Sequence, residues 1–94
     1  MLVRIGEFQA VVGQGDALHQ FLLSLTDYIR GSAGCLAYEV LRKQDDSEAF
    51  VVIERWDSEA AHRASVQGFP QEDMQAAMSL FAGAPKGAYY VAEQ

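Results

Sequence analysis

The sequence predicts an α+β domain in which a four-stranded antiparallel sheet carries its helices on one face. Three observations lead there: four β-rich segments, a turn-forming break that folds two of them into a hairpin, and amphipathic helical stretches in the two remaining gaps. Length agrees with this. A chain of 94 residues, half of them hydrophobic, suits a single domain spanning 1–94, and a domain that small buries only about 60% of the surface its unfolded chain exposes.

Residues 2–11, LVRIGEFQAV, are rich in Val, Ile and Phe and stop at Gly13-Gln14-Gly15, which reads as the first strand. Asp16 is the expected N-cap of the helix that follows. In it Leu18, Phe21, Leu22, Leu25 and Ile29 recur at spacings of three and four until Gly31 interrupts. CLAYEVLRK (35–43) and AFVVIERW (49–56) flank QDDSE, whose Asp and Ser side chains favour turns, so they form a hairpin. Asp57 or Ser58 then caps an alanine-rich helix reaching about Gln67. Pro70 opens another, with Met74, Ala77, Met78 and Phe81 as its apolar stripe before Gly83. GAYYVAEQ (87–94) is the fourth strand. The order β-α-β-β-α-α-β is the split βαβ arrangement of ferredoxin-like folds.

The strands are apolar on both sides. Successive side chains point to opposite faces, so Phe50, Val52 and Trp56 oppose Val51 and Ile53; Leu36, Tyr38 and Val40 oppose Cys35, Ala37 and Leu41; and Tyr90 opposes Tyr89 and Val91. One layer of helices covers one face only, and a second face left in water should be polar. A homodimer formed sheet on sheet, burying on the order of 1,200 Å² or more, is the expectation.

Charge narrows the remaining partners. With seven basic residues scattered among thirteen acidic ones and a net charge of −6, there is no basic groove for nucleic acid and no basic amphipathic helix for an anionic membrane. Cys35 is the only cysteine, which excludes an internal disulfide and a thiolate cage and suits a reducing compartment. The chain opens directly as a strand, without a basic, apolar leader or a span of about 20 apolar residues. A cytoplasmic location is expected. His19 and His62 lie 43 positions apart, without the spacing of a metal motif, and the glycines form neither a dinucleotide fingerprint nor a P-loop. No metal and no cofactor are predicted.

Residues 34–64, GCLAYEVLRKQDDSEAFVVIERWDSEAAHRA, resemble the antibiotic biosynthesis monooxygenase domain family. Its members carry a Gly-Cys-aliphatic-x-Tyr strand, a hairpin, and a Glu-x-Trp-x-Ser/Asp-x-Glu-Ala stretch entering a helix. The resemblance implies a dimeric αβ-barrel, in which two ferredoxin-like protomers join their sheets. It also implies an activity like that of the cofactor-independent monooxygenases, which act on small electron-rich aromatics of the quinol or phenol type. The superfamily holds haem-degrading enzymes and isomerases as well. The haem-degrading members use an Asn near the first strand, whereas this chain has no Asn. Many members place a His nine residues after the Trp; here that position is Ser65, and His62 lies one helical turn earlier.

His62 is the candidate base, since an imidazole with an ordinary pKa of about 6.5 exchanges protons near neutrality; the competing reading is a solvated helix residue beside Arg63. Trp56 is the candidate wall of a cavity between sheet and helices, or else a core aromatic. Glu54 shares its strand face and is expected either at the cavity mouth or bridged to Arg42 or another cross-strand base. Tyr38 and Ser65 are the candidate hydrogen-bonding groups for substrate, and Phe69, Met74 and Met78, with Phe81, the apolar lining. Cys35 reads as a small buried hydrophobe and His19 as an exposed flank of the first helix. Two other functions use the same scaffold: a non-redox isomerase or tautomerase with the same proton-transferring His, and a non-catalytic dimeric module that binds a small molecule or serves assembly.

Overall fold

In a computed structural model the chain is described over residues 1–93. Strand β1 (Leu2–Gln9) leads into helices α1 (Gly15–Ser24) and α2 (Thr26–Arg30), then the hairpin β2 (Cys35–Arg42) and β3 (Ala49–Trp56). Helices α3 (Glu59–Gly68) and α4 (Gln71–Met78) follow, and β4 (Lys86–Val91) closes the chain. Gln94, the end of the predicted last strand, lies outside the described residues.

The strands form one antiparallel sheet in the order β2-β3-β1-β4. This is the predicted ferredoxin-like fold, and the sheet is open, with β2 and β4 as its edges. The register places Leu2, Arg4, Gly6 and Phe8 of β1 opposite Trp56, Glu54, Val52 and Phe50 of β3, all on the helical face. There Leu18 and Leu22 of α1 meet Tyr38, Phe50 and Val52 in the core, with Phe21, Leu25 and Ile29 packed against them. The opposite face presents Val3, Ile5, Val51, Ile53, Leu41 and Tyr90.

Local chemistry shifts several predicted boundaries. Asp16 does not cap α1: the helix starts one residue before it, and its carboxylate instead takes a 2.9 Å ion pair from Arg42. The predicted single helix is two, broken at Leu25. Ser24 and Thr26 on either side donate their hydroxyls back to the carbonyls of Phe21 and Leu23 (2.5 and 2.7 Å), a bonding pattern that bends helices. Ser58 does cap α3, accepting from the Ala61 N–H at 3.1 Å. The stripe assigned to the last helix is cut short, because α4 ends at Met78 and Phe81 already belongs to a bridge with Ala10.

A bulge changes the colouring of β2. Strict alternation puts Leu36 beside Tyr38 and Val40, but the register shifts between Cys35 and Ala37 and leaves Leu36 58% exposed. The turn into that strand needs Gly34, whose φ is +86° and whose missing side chain leaves room for the Asp57 carboxylate and Ala61.

Candidate active site

The end of β3 and the first turns of α3 converge on one spot. Alternation from Trp56 places Glu54 on the same face, and the indole Nε1–H donates to Glu54 Oε1 at 2.8 Å. Trp56 is fully buried. The Ser58 cap starts α3 so that its first turn brings His62 over both: its ring stands edge-on to Trp56 (centroids 5.5 Å, 67°) and to Tyr89 of β4 (5.4 Å, 80°). Nδ1 of His62 shares a 2.7 Å hydrogen bond with the Tyr89 hydroxyl, while Nε2 lies 3.8 Å from Glu54 Oε1. The residue is buried rather than solvated.

Burial dominates the electrostatics. It lowers the His62 pKa below the ordinary 6.5, and the Arg4 and Arg63 guanidinium charges push the same way, against a smaller contrary pull from Glu59. The Glu54 pKa is raised above 4.5 because its carboxyl is desolvated, and the Trp56 N–H and Arg4 only partly oppose this. Burial thus shifts both groups toward their uncharged forms where they face each other.

One turn further along α3, Ser65 belongs to a hydroxyl chain. Tyr28 donates to the Ser65 carbonyl (2.7 Å), and Ser32 Oγ donates to the Tyr28 carbonyl (2.9 Å). Ser32 has then spent its one proton, so in the 2.8 Å contact between the two serine oxygens Ser65 is the donor. Among the described residues no donor occupies its lone pairs.

These groups border a pocket of about 270 Å³ between sheet and helices. Trp56, Glu54, His62, Ser65, Phe69 and Met74 line it, and Gly6 opens its floor, where a Cβ would press on the Phe8 ring at 3.1 Å. Of the predicted site residues, Trp56, His62, Ser65, Phe69 and Met74 are thus brought together; Tyr38 and Met78 are not. The Tyr38 hydroxyl donates to the Leu22 carbonyl at 2.6 Å inside the core, where burial raises its pKa far above the ordinary 10. Met78 is 59% exposed because the buried position at that end of α4 is Ala77. Of the alternatives for Glu54, it lines the pocket with its carboxyl bonded to the Trp56 N–H, and Arg42 pairs with Asp16 instead. His19 is half-buried and stacks on Phe50 at 5.6 Å.

Two residues of the site were not anticipated. Arg4 lines the pocket with its guanidinium 4.8 Å from the Tyr89 ring centroid, and Tyr89 itself holds His62. Arg4 was within reach of sequence reasoning: it alternates with Gly6 and Phe8 along β1. Tyr89 was not, since its partner lies 27 positions away on a helix.

Residues 1–79 match the family described as Antibiotic biosynthesis monooxygenase. The chain belongs to this family. Among solved structures, the PA3566 protein of Pseudomonas aeruginosa is 28% identical with a TM-score of 0.81, over 97% of this chain and 94% of that one. Rv0793 of Mycobacterium tuberculosis is 19% identical with a TM-score of 0.85 (99% and 95% covered). A variant of SnoaB from Streptomyces nogalater, described as a cofactor-independent oxygenase, is 17% identical with a TM-score of 0.83 (99% and 93%). No curated protein matches. For this member of the family, no helix among the described residues is long and apolar enough to cross a membrane.

Proposed function

We propose that the protein is a cofactor-independent monooxygenase acting on a small electron-rich aromatic, of the quinol or phenol type, in the pocket beside Trp56. The observation that carries this reading is a buried His62 whose lowered pKa keeps it neutral, anchored at Nδ1 by Tyr89 and set against Glu54 on the pocket wall. With Nδ1–H donated to the Tyr89 oxygen, Nε2 carries the lone pair that removes a proton from substrate. The resulting anion is electron-rich enough to reduce dioxygen. For a ring CH₂, as in an anthrone, the balance closes without outside electrons: CH₂ and O₂ give C=O and H₂O, with His62 returning its proton to the departing oxygen. Trp56 and Phe69 supply flat apolar walls, and the free lone pairs of Ser65 accept a substrate O–H.

Oxygen uptake by metal-stripped protein, measured against a panel of dihydroxynaphthalenes and anthrones, tests the reading. Uptake should appear and should fall by at least about 10²-fold in His62→Ala, the lower range for a positioned base. Uptake that survives this change removes the base assignment. The opposite displacements of the His62 and Glu54 pKa values also favour a second reading, an isomerase that moves a proton between two positions of one substrate. Turnover under argon would select it.

The same reading includes a homodimer. Tyr90 (52% exposed) and Leu41 (42%) flank Val51, Ile53 and Ile5 on the face away from the helices, a contiguous apolar surface of the kind that marks an interface.

A further inference from the structure

We propose that Arg4 makes the pocket selective for aromatic ligands that carry a carboxylate. This rests on the reading of the pocket as an aromatic site and names the class of molecule it takes. The starting observation is an arginine with nothing to hold. Arg42 and Arg63 form ion pairs with Asp16 and Glu59, Arg30 donates to the Tyr38 carbonyl, and Arg55 donates to Met1 Sδ. Among the described residues Arg4 makes neither an ion pair nor a hydrogen bond, although it lines the pocket. Its cross-strand partner is Glu54, yet that carboxylate is turned to the Trp56 N–H instead.

The guanidinium is nevertheless held in place. It stacks 4.8 Å from the Tyr89 ring centroid and lies across Gly87, where any Cβ would collide with it. Beside it Gly6 contributes no side chain, so the pocket floor is open at that point. An unpaired cation on an apolar pocket stands out in a chain with a net charge of −6. The fixed fork of an arginine matches the two oxygens of a planar carboxylate, and in a partly desolvated site such a bond is stronger than in water. The pocket volume of about 270 Å³ lies just below the roughly 300–1,000 Å³ usual for small-molecule sites, which suits one or two rings. Glu54 does not oppose an incoming anion strongly, since its own burial favours its neutral form.

Isothermal titration with 1-hydroxy-2-naphthoate and its neutral carboxamide, which share one shape, tests this. The wild-type protein should bind the carboxylate at least about tenfold more tightly, the ratio that ~1.4 kcal/mol of charged hydrogen bonding supplies. Arg4→Gln should erase the preference while leaving carboxamide binding within about twofold. Should that variant fail to fold by circular dichroism, Arg4→Lys, which keeps the charge but loses the two-pronged fork, should still reduce the preference about twofold or more. Equal affinity of the two ligands for wild type, or a preference untouched in both variants, overturns the proposal. Oxygen uptake is scored separately. A carboxylate preference without uptake upholds the anion site and refutes the monooxygenase reading, and uptake without a preference does the reverse.

Discussion

Glu54→Gln isolates the electrostatic feature on which the acid-base assignment stands. The Glu54 side chain is only 12% exposed, its one good hydrogen bond comes from Trp56, and the imidazole 3.8 Å away is a His62 that burial shifts toward its neutral form. The folded-state pKa lies above the ordinary 4.5. As pH rises past that value the unfolded chain therefore releases the proton first, and stability falls until the folded pKa is passed. A carboxyl whose pKa is one pH unit higher in the folded chain than in the unfolded chain costs about 1.4 kcal/mol at neutral pH. Glutamine keeps the shape and the oxygen that accepts from Trp56 while giving up the charge, at a cost of about 1 kcal/mol for the weaker hydrogen bond. Thermal unfolding of both proteins from pH 4 to pH 8, at one fixed protein concentration, reads the difference. The wild type should lose ground to the variant as pH rises, by roughly 4–8 °C in Tm per kcal/mol for a domain of this size. A wild type that instead gains on the variant between pH 4.5 and 7 would show that Glu54 is stabilised as an anion, and the picture of a proton-holding carboxyl beside His62 would collapse.

Tyr89→Phe removes the hydroxyl at His62 Nδ1 and keeps the ring, so kcat should drop about fivefold, the value of one hydrogen bond of ~1 kcal/mol, with a shifted pH profile as the sign that the effect runs through the imidazole. In the wild type the acid limb of that profile should lie below pH 6.5, since the His62 pKa is lowered; stability in turn should fall as pH drops below 6.5, where the unfolded chain takes up the proton before the folded one. Tyr38→Phe should cost about 1 kcal/mol in denaturant unfolding by removing the shorter of the two hydrogen bonds to the Leu22 carbonyl, which keeps only the Leu25 N–H at 3.3 Å, with oxygen uptake unchanged; a loss of uptake at full stability would return Tyr38 to the site. Ile53→Glu, in the middle of the apolar sheet face, should convert dimers to folded monomers in sedimentation velocity, and a wild type already monomeric when dilute would refute the dimer.

The sheet was legible because its information is local and redundant. Each strand carries its own β-branched and aromatic run, and QDDSE between β2 and β3 leaves the hairpin little choice. The errors fell where a side chain outbid a propensity. Asp16 looked like a cap until Arg42, 26 positions on, claimed it, and the helix break at Leu25 came from Ser24 and Thr26 bonding backward. The site was half legible for the same reason. Trp56, His62 and Ser65 come from one continuous stretch, so their proximity follows from a strand running into a capped helix. Arg4 and Tyr89 reach it from the two ends of the chain through the β1–β4 and β1–β3 pairings, a register that a single sequence does not state. Tyr38 was misplaced because the direction of a phenol along a strand face is decided by the helix above it, here by the Leu22 carbonyl.

The imidazole stands one helical turn before Ser65, and the geometry explains how it is held there. Residues 62 and 65 sit three apart on α3 and so share one face, with Cβ atoms about 5–6 Å apart. Moving the ring one turn toward the start of the helix brings it over Trp56 and into reach of both Glu54 and Tyr89. None of those contacts follows from the helix alone; each needs the sheet register that sets Glu54 and Tyr89 on either side of Arg4. Position 65 is not idle either, since its backbone carbonyl accepts from Tyr28 of α2 and its hydroxyl meets that of Ser32. A histidine placed at 65 would lose the contact with the Ser32 hydroxyl and crowd a position only 9% exposed, a change of the overpacking kind that costs about 1–3 kcal/mol. The imidazole is thus fixed from two sides, because β3 and β4 each supply a side chain to meet it.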